Sequence, residues 1–160
     1  MQPSPQRLPG RVEILLVEDH PGDVRLIREA LREEKIFNEL HVALDGVEAL
    51  AFLRGQGRYA ARVRPDLILL DLNLPRMSGR ELLEEMKRDP ALRDLPVVVV
   101  TASQAEADAC RALELGAAGY LTKPFDFRQL ARVIQSTTDL WITIVAVRPE
   151  TEVSAPVTVR

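Results

Sequence analysis

The stretch Pro65–Gly79, "PDLILLDLNLPRMSG", decides the fold. Leu67, Ile68, Leu69 and Leu70 form a short apolar run of the kind that makes a strand buried on both faces, and the run stops on a carboxylate, Asp71. A charge at the rim of an apolar core is costly unless something pairs with it or uses it. The residues that follow, "LNLPRMSG", form turns, so Asp71 stands where a strand gives way to a loop.

Outward from this stretch the chain alternates strand-like and helix-like segments. "RVEILLVED" (11–19) reads as a buried strand and "HPGDVRLIREALREEK" (20–35) as a helix, with Pro21 in its first turn and Val24, Ile27 and Leu31 at helical spacing. "ELHVAL" (39–44) is a second strand. "DGVEALAFLRG" (45–55) is a helix opened by Asp45, closed near Gly55, with an apolar side of Val47, Leu50, Ala51 and Leu53. Beyond Asp71, "SGRELLEEMKRD" is a helix ended before Pro90, and "PVVVVT" is a strand because consecutive valines disfavour a helix. "SQAEADACRALELG" is a helix with Gly116 as its stop. "AGYLT" is a fifth strand, and "DFRQLARVIQSTTDLW" a last helix with Phe127, Leu130, Ile134 and Trp141 on one side. Such a series of strand–helix pairs predicts a parallel sheet covered on both faces, a doubly wound α/β sandwich.

At 160 residues, with 46% hydrophobic and 28% charged residues, the chain is sized and composed as one soluble domain. A net charge of −3 shows no basic excess of the kind that nucleic acid binding leaves. No apolar run approaches the roughly 20 residues of a membrane span. The single Cys110 forbids an intrachain disulfide and fits a reducing compartment, so a cytoplasmic protein is expected. Cys110 itself reads as a small apolar helix residue, having no His or other Cys near it. Residues 1–10 read as a flexible lead, 11–147 as the folded domain with an apolar extension, and 148–160 as a disordered tail.

The polar residues fall in a pattern. The first strand ends in Glu18-Asp19, the third in Asp71, the fourth in Thr101, and Lys123 follows the fifth. In an open parallel sheet the carboxyl ends of all strands share one edge, where ligands bind, so these groups converge on one crevice. Two carboxylates about 4 Å apart repel by roughly 4 kcal/mol at an effective dielectric of about 20. Three together must hold a proton or a cation. Hard oxygen ligands without His or Cys favour Mg²⁺, whose remaining positions accept phosphoryl oxygens. With Lys123 as a second positive charge and Thr101 as a donor, the set suits phosphoryl transfer with Asp71 as nucleophile.

These residues resemble the receiver domains of two-component response regulators. "ILLVEDHPGDVRLIREAL", "DGVEAL", "PDLILLDLNLPRMSGRELLEEMK", "PVVVVTA" and "GAAGYLTKPF" match the family in order and spacing, from about Arg11 to Leu140. The resemblance implies a five-stranded parallel sheet in the order 2-1-3-4-5, with Asp71 phosphorylated by a sensor histidine kinase. It implies Mg²⁺ held by Glu18, Asp19, Asp71 and the carbonyl of Asn73, and phosphoryl contacts from Thr101 and Lys123. It also implies a cis Lys123-Pro124 peptide. Tyr120 would be an aromatic switch passing the signal from Thr101 to the fourth helix, fifth strand and fifth helix.

"VRLIREAL", "HVALDGVEALAFLR" and the ending "DLWITIVAV" are similar to small response regulators paired with phytochrome kinases. Too little chain follows the last helix for a DNA-binding module, so a single-domain regulator acting through protein contacts is expected. Trp141, Ile142, Ile144, Val145 and Val147 either wrap back on their own last helix or form a symmetric contact beside it. The second is expected, as a homodimer. Sedimentation of the full chain should show a dimer that truncation before Trp141 abolishes; identical monomers would refute it.

Rival readings are weaker. Phosphatases of the dehalogenase type need a second Asp two positions after the nucleophile, where this chain has Asn73, which cannot shuttle a proton. A flavin-mononucleotide carrier needs a phosphate-cradling loop where Glu18-Asp19 would repel the phosphate. A receiver-like scaffold that works without phosphorylation remains the alternative.

Overall fold

The structure, a computed structural model, describes residues 8–137. The apolar extension from Trp141, the dimer contact expected there, and the tail 148–160 lie outside the described residues. The elements in chain order are β1 (Val12–Val17), α1 (Pro21–Glu33), β2 (Asn38–Ala43), α2 (Gly46–Leu53), a 3₁₀ turn (Gly57–Tyr59), β3 (Leu67–Leu70), α3 (Gly79–Arg88), β4 (Val97–Thr101), α4 (Gln104–Ala112), β5 (Gly119–Thr122) and α5 (Phe127–Thr137). The strands form one parallel sheet in the order β2-β1-β3-β4-β5, as the resemblance implied. Among the described residues, no helix is long and apolar enough to cross a membrane.

The alternation of side chains along β3 builds the two layers. Ile68 and Leu70 join Leu15, Val17, Val97 and Val99 in a core closed by α2, α3 and α4, through Phe52, Leu82, Leu83, Met86 and Cys110. Leu67 and Leu69 point the other way, with Ile14, Leu16, Val98 and Val100, against Ile27 and Leu31 of α1 and Leu130 and Ile134 of α5. All four β3 side chains are fully buried. Each contributes about 1.5–3 kcal/mol of apolar burial, which is why this strand tolerates no polar residue before its last position is passed.

Two helices depart from the pattern read in the sequence. Of the apolar side read for α2, Leu53 is buried and Leu50 packs against the core, but Gly46, Ala49 and Phe52 complete the inward side while Val47 is exposed. A long-range contact sets this phase: Gly46 donates its N–H to the Met77 carbonyl at 3.1 Å, and any Cβ on Gly46 would strike that carbonyl. The helix therefore enters with its first residue pressed on the β3–α3 loop. The helix α4 ends at Ala112, short of Gly116, because Glu114 already takes a positive φ of 51° and turns the chain toward β5. Its described attachment to the core is slight, through Ala107 and Cys110.

Asp45 ties the same loop a second time. Its carboxylate accepts from Glu48 N at 2.7 Å, capping α2, and from Arg76 Nε and Nη2 at 2.9 and 3.1 Å. Burial works to raise the Asp45 carboxyl, but the Arg76 guanidinium and the Glu48 N–H outweigh it and hold it below its ordinary range. A depressed carboxyl stabilises the fold above its ordinary pKa, and the gain is lost as pH falls through its folded value. Asp45→Ala should therefore cost about 1 kcal/mol at neutral pH, the worth of an N-cap, and less at an acid pH below the ordinary carboxylate range. Urea unfolding at both pH values checks this, and an equal loss at both would refute it.

Candidate functional site

At the carboxyl edge of the sheet, three neighbouring strands deliver their polar ends to one cleft of about 370 Å³. Parallel register does this: Val17 lies opposite Leu70 and Leu70 opposite Val99, so Glu18 and Asp71 leave their strands side by side, with Thr101 at the end of β4. Glu18, Asp71 and Thr101 are buried and Asp19 is exposed. Lys123 follows β5 and donates its backbone N–H to the Thr101 carbonyl at 2.8 Å, before a Lys123-Pro124 peptide that is cis. Its ammonium reaches back to Glu18 Oε1 at 2.9 Å and to Asp71 Oδ2 at 3.4 Å.

Asp71 is held firmly. Its N–H donates to the Val17 carbonyl at 3.0 Å, and its Oδ1 accepts from Asn73 N at 3.1 Å. The next helix begins so close that Gly79 leaves no room for a Cβ beside the Asp71 carbonyl and the Leu72 Cα. Ser78 and Glu81 close a reciprocal capping box at the start of α3, fixing the loop's far end.

Glu18, Asp19 and Asp71 present carboxylate oxygens all within 4.8 Å of one another. Octahedral oxygen ligands at about 2.1 Å from a cation stand about 3 to 4 Å apart, so this donor set fits a hard divalent ion. Burial pushes the Glu18 carboxyl up to about 7, against the pull of the Lys123 ammonium and with the Asp71 charge adding to the rise. Burial also works to lower Lys123, but Asp23, Glu18 and Asp71 overcome it and hold the amine above its usual range. The lysine stays a cation, and the carboxylates around it call for a second one.

The residues singled out in the sequence thus divide. Glu18, Asp19, Asp71, Asn73, Thr101 and Lys123 all line the cleft. Tyr120 does not. It stands on β5 opposite Val99, partly buried against the α3–α4 side of the sheet, with the Arg111 guanidinium 4.2 Å from its ring centre. The sequence reading missed Asp23, in the first turn of α1, whose Oδ2 lies 2.9 Å from Lys123 Nζ. The signal was available: an acid four residues after Asp19, at the start of a helix that leaves the sheet's ligand edge. Ser103 lines the cleft as well, its N–H donating to Thr101 Oγ1 at 3.2 Å.

Comparison with known proteins agrees with this geometry. The family model described as "Response regulator receiver domain" matches residues 14–135. Response regulator Rcp1 of Synechocystis is 46% identical over 129 residues, covering 81% of this chain and 88% of its own. A structure of Rcp1 carries bound Mn²⁺ and superposes with a TM-score of 0.67 at 47% identity, over 78% of this chain and 89% of that one. The bacteriophytochrome response regulator AtBRR gives a TM-score of 0.73 at 42% identity, over 79% of this chain and 91% of that one. The phosphorylated cyanobacterial phytochrome response regulator RcpA gives 0.70 at 44% identity, over 83% and 95%. A buried carboxylate between an acidic pair and a lysine, on a sheet of this order and with this match, leaves one assignment: the chain belongs to the response regulator receiver family.

Proposed function

We propose that the protein accepts a phosphoryl group on Asp71 from a sensor histidine kinase of the phytochrome type and signals through protein contacts. The observation that carries this reading is the Asp71 carboxylate, buried at the sheet's edge between Glu18-Asp19 and the Lys123 ammonium. Likeness to the phytochrome response regulator RcpA and the bacteriophytochrome response regulator AtBRR supports the kinase class. The reading places the protein in the cytoplasm, as a homodimer.

In the transfer an Asp71 Oδ attacks the phosphorus of the donor phosphohistidine. The P–N bond breaks and its electron pair stays on the imidazole nitrogen, with no change of oxidation state. Glu18, Asp19, Asp71 and the Asn73 carbonyl would hold Mg²⁺, which supplies positive charge for the phosphoryl oxygens. Lys123 and the Thr101 hydroxyl would contact those oxygens from the other side, holding charge and geometry while the bond forms. Tyr120 would follow Thr101 and carry the change to the α4 surface, where the helix has little side-chain bulk to displace.

Acetyl phosphate with Mg²⁺ tests the chemistry without naming a kinase. Intact mass should rise by one phosphoryl group, and EDTA should abolish the gain. No gain with Mg²⁺ would sink the reading and favour a scaffold.

A further inference from the structure

The ammonium of Lys123 has three N–H groups, and the structure offers it three carboxylates: Glu18 and Asp23 at 2.9 Å each, and Asp71 at 3.4 Å. These partners are not equivalent. Glu18 and Asp71 belong to the cluster whose oxygens could hold a divalent ion, and Asp23 does not. A carboxylate turned to a metal ion serves a lysine poorly, because the same lone pairs are engaged. Asp23 is the acceptor of Lys123 that stays free for it when that cluster is occupied.

Asp23 is also built to stay in place. Its N–H donates to the His20 carbonyl at 3.1 Å, closing the first turn of a helix that opens on Pro21. Ile27 and Leu31 root the same helix in the core. The helix N-terminus favours a negative side chain there. His20 Nδ1, on an exposed side chain, stands 3.8 Å from the same Oδ2, a longer contact than that of Lys123.

We infer that Asp23 is a positioning residue: it holds Lys123 Nζ toward the phosphoryl site of Asp71 in the metal-loaded protein. The inference rests on the phosphoacceptor reading and adds one anchor to it. Asp23 touches no reacting atom and acts through the lysine. A competing arrangement would have Asp23 draw Lys123 away from Asp71, and its removal would then strengthen phosphoryl binding.

The test uses the full chain as wild type, Asp23→Asn, Asp23→Ala, Lys123→Ala and the double variant Asp23→Ala/Lys123→Ala. Calorimetry with beryllofluoride and saturating Mg²⁺ reads the grip on a phosphoryl mimic without turnover. Intact mass with acetyl phosphate reads transfer, acetate leaving with the electron pair of the broken P–O bond. Asp23→Ala should weaken beryllofluoride binding about tenfold, the scale of one charge-assisted hydrogen bond, with Asp23→Asn between it and wild type. Half-saturating Mg²⁺ should shift by less than about threefold, since Asp23 lies outside the carboxylate cluster. In the Lys123→Ala background, Asp23→Ala should add no further loss. Unchanged or tighter binding in Asp23→Ala, or an equal loss without the lysine, would overturn the inference while leaving the phosphoacceptor reading standing. A wild type that gains no phosphoryl mass and binds no beryllofluoride would bring down both.

Discussion

Asp71→Asn should gain no phosphoryl mass from acetyl phosphate, and its metal-free form should be more stable than wild type by about 1 kcal/mol at pH 8. The first effect is loss of the nucleophile, since the amide oxygen of Asn is too weak to attack phosphorus. The second follows from Glu18. Burial and the neighbouring Asp71 charge push the Glu18 carboxyl up to about 7. An acid with a raised folded value stabilises the protein while it keeps its proton, and that contribution is lost as pH rises through about 7. Above that point Glu18 and Asp71 are both charged and repel. Asn removes the repulsion and keeps an oxygen for the Asn73 N–H. The gain should therefore be present at pH 8 and fade toward pH 5, well below the raised value, where Glu18 keeps its proton beside Asp71 and the two no longer repel. Urea unfolding in EDTA at the two pH values measures it. Equal phosphoryl mass gain in the variant would defeat the assignment of Asp71, and a gain unchanged between pH 5 and pH 8 would defeat the electrostatic account.

Gly79→Ala should be the most damaging single methyl that could be added near the site. The new Cβ would overlap the Asp71 carbonyl oxygen and come within 2.7 Å of Leu72 Cα, both backbone atoms that cannot rotate away. The Gly79 N–H, bonded to the Leu72 carbonyl at 3.1 Å, fixes the two segments against each other. Relief requires moving either α3 or the strand end that carries Asp71. The loss should reach about 3 kcal/mol, the upper end for overpacking, with phosphoryl uptake falling alongside stability. Thermal unfolding and the acetyl phosphate assay check both. A variant as stable as wild type would show that the close approach at Gly79 is softer than the geometry states.

The fold was legible where burial alone decides. The apolar runs of β1, β3 and β4 need no partner to be recognised, and the polar residues at their ends, the acids after β1 and β3 and Thr101 closing β4, could be placed on one edge from the strand pattern alone. The inward side of α2 was legible only in part: Leu50 and Leu53 face the core as their spacing suggests, but a sequence window cannot see Met77 pressing on Gly46. Local periodicity chose Val47, and a contact from the β3–α3 loop rotated the helix away from that choice. The end of α4 escaped for a similar reason: the turn at Glu114 uses a positive φ on a residue whose type does not announce it. In the site, each strand-end residue was visible one at a time, whereas Asp23 gains its meaning only from Lys123, 100 residues further along the chain.

Cys110 offers a practical consequence of the slight seating of α4. It is the chain's one thiol and lies almost fully buried on the inward face of that helix, where burial pushes it further from the reactive thiolate. A thiol reagent meets it only when the helix lifts, so the rate of modification counts those excursions directly. The protein therefore carries its own reporter for the element that its signalling is expected to move, with no label to introduce and no second cysteine to confuse the signal.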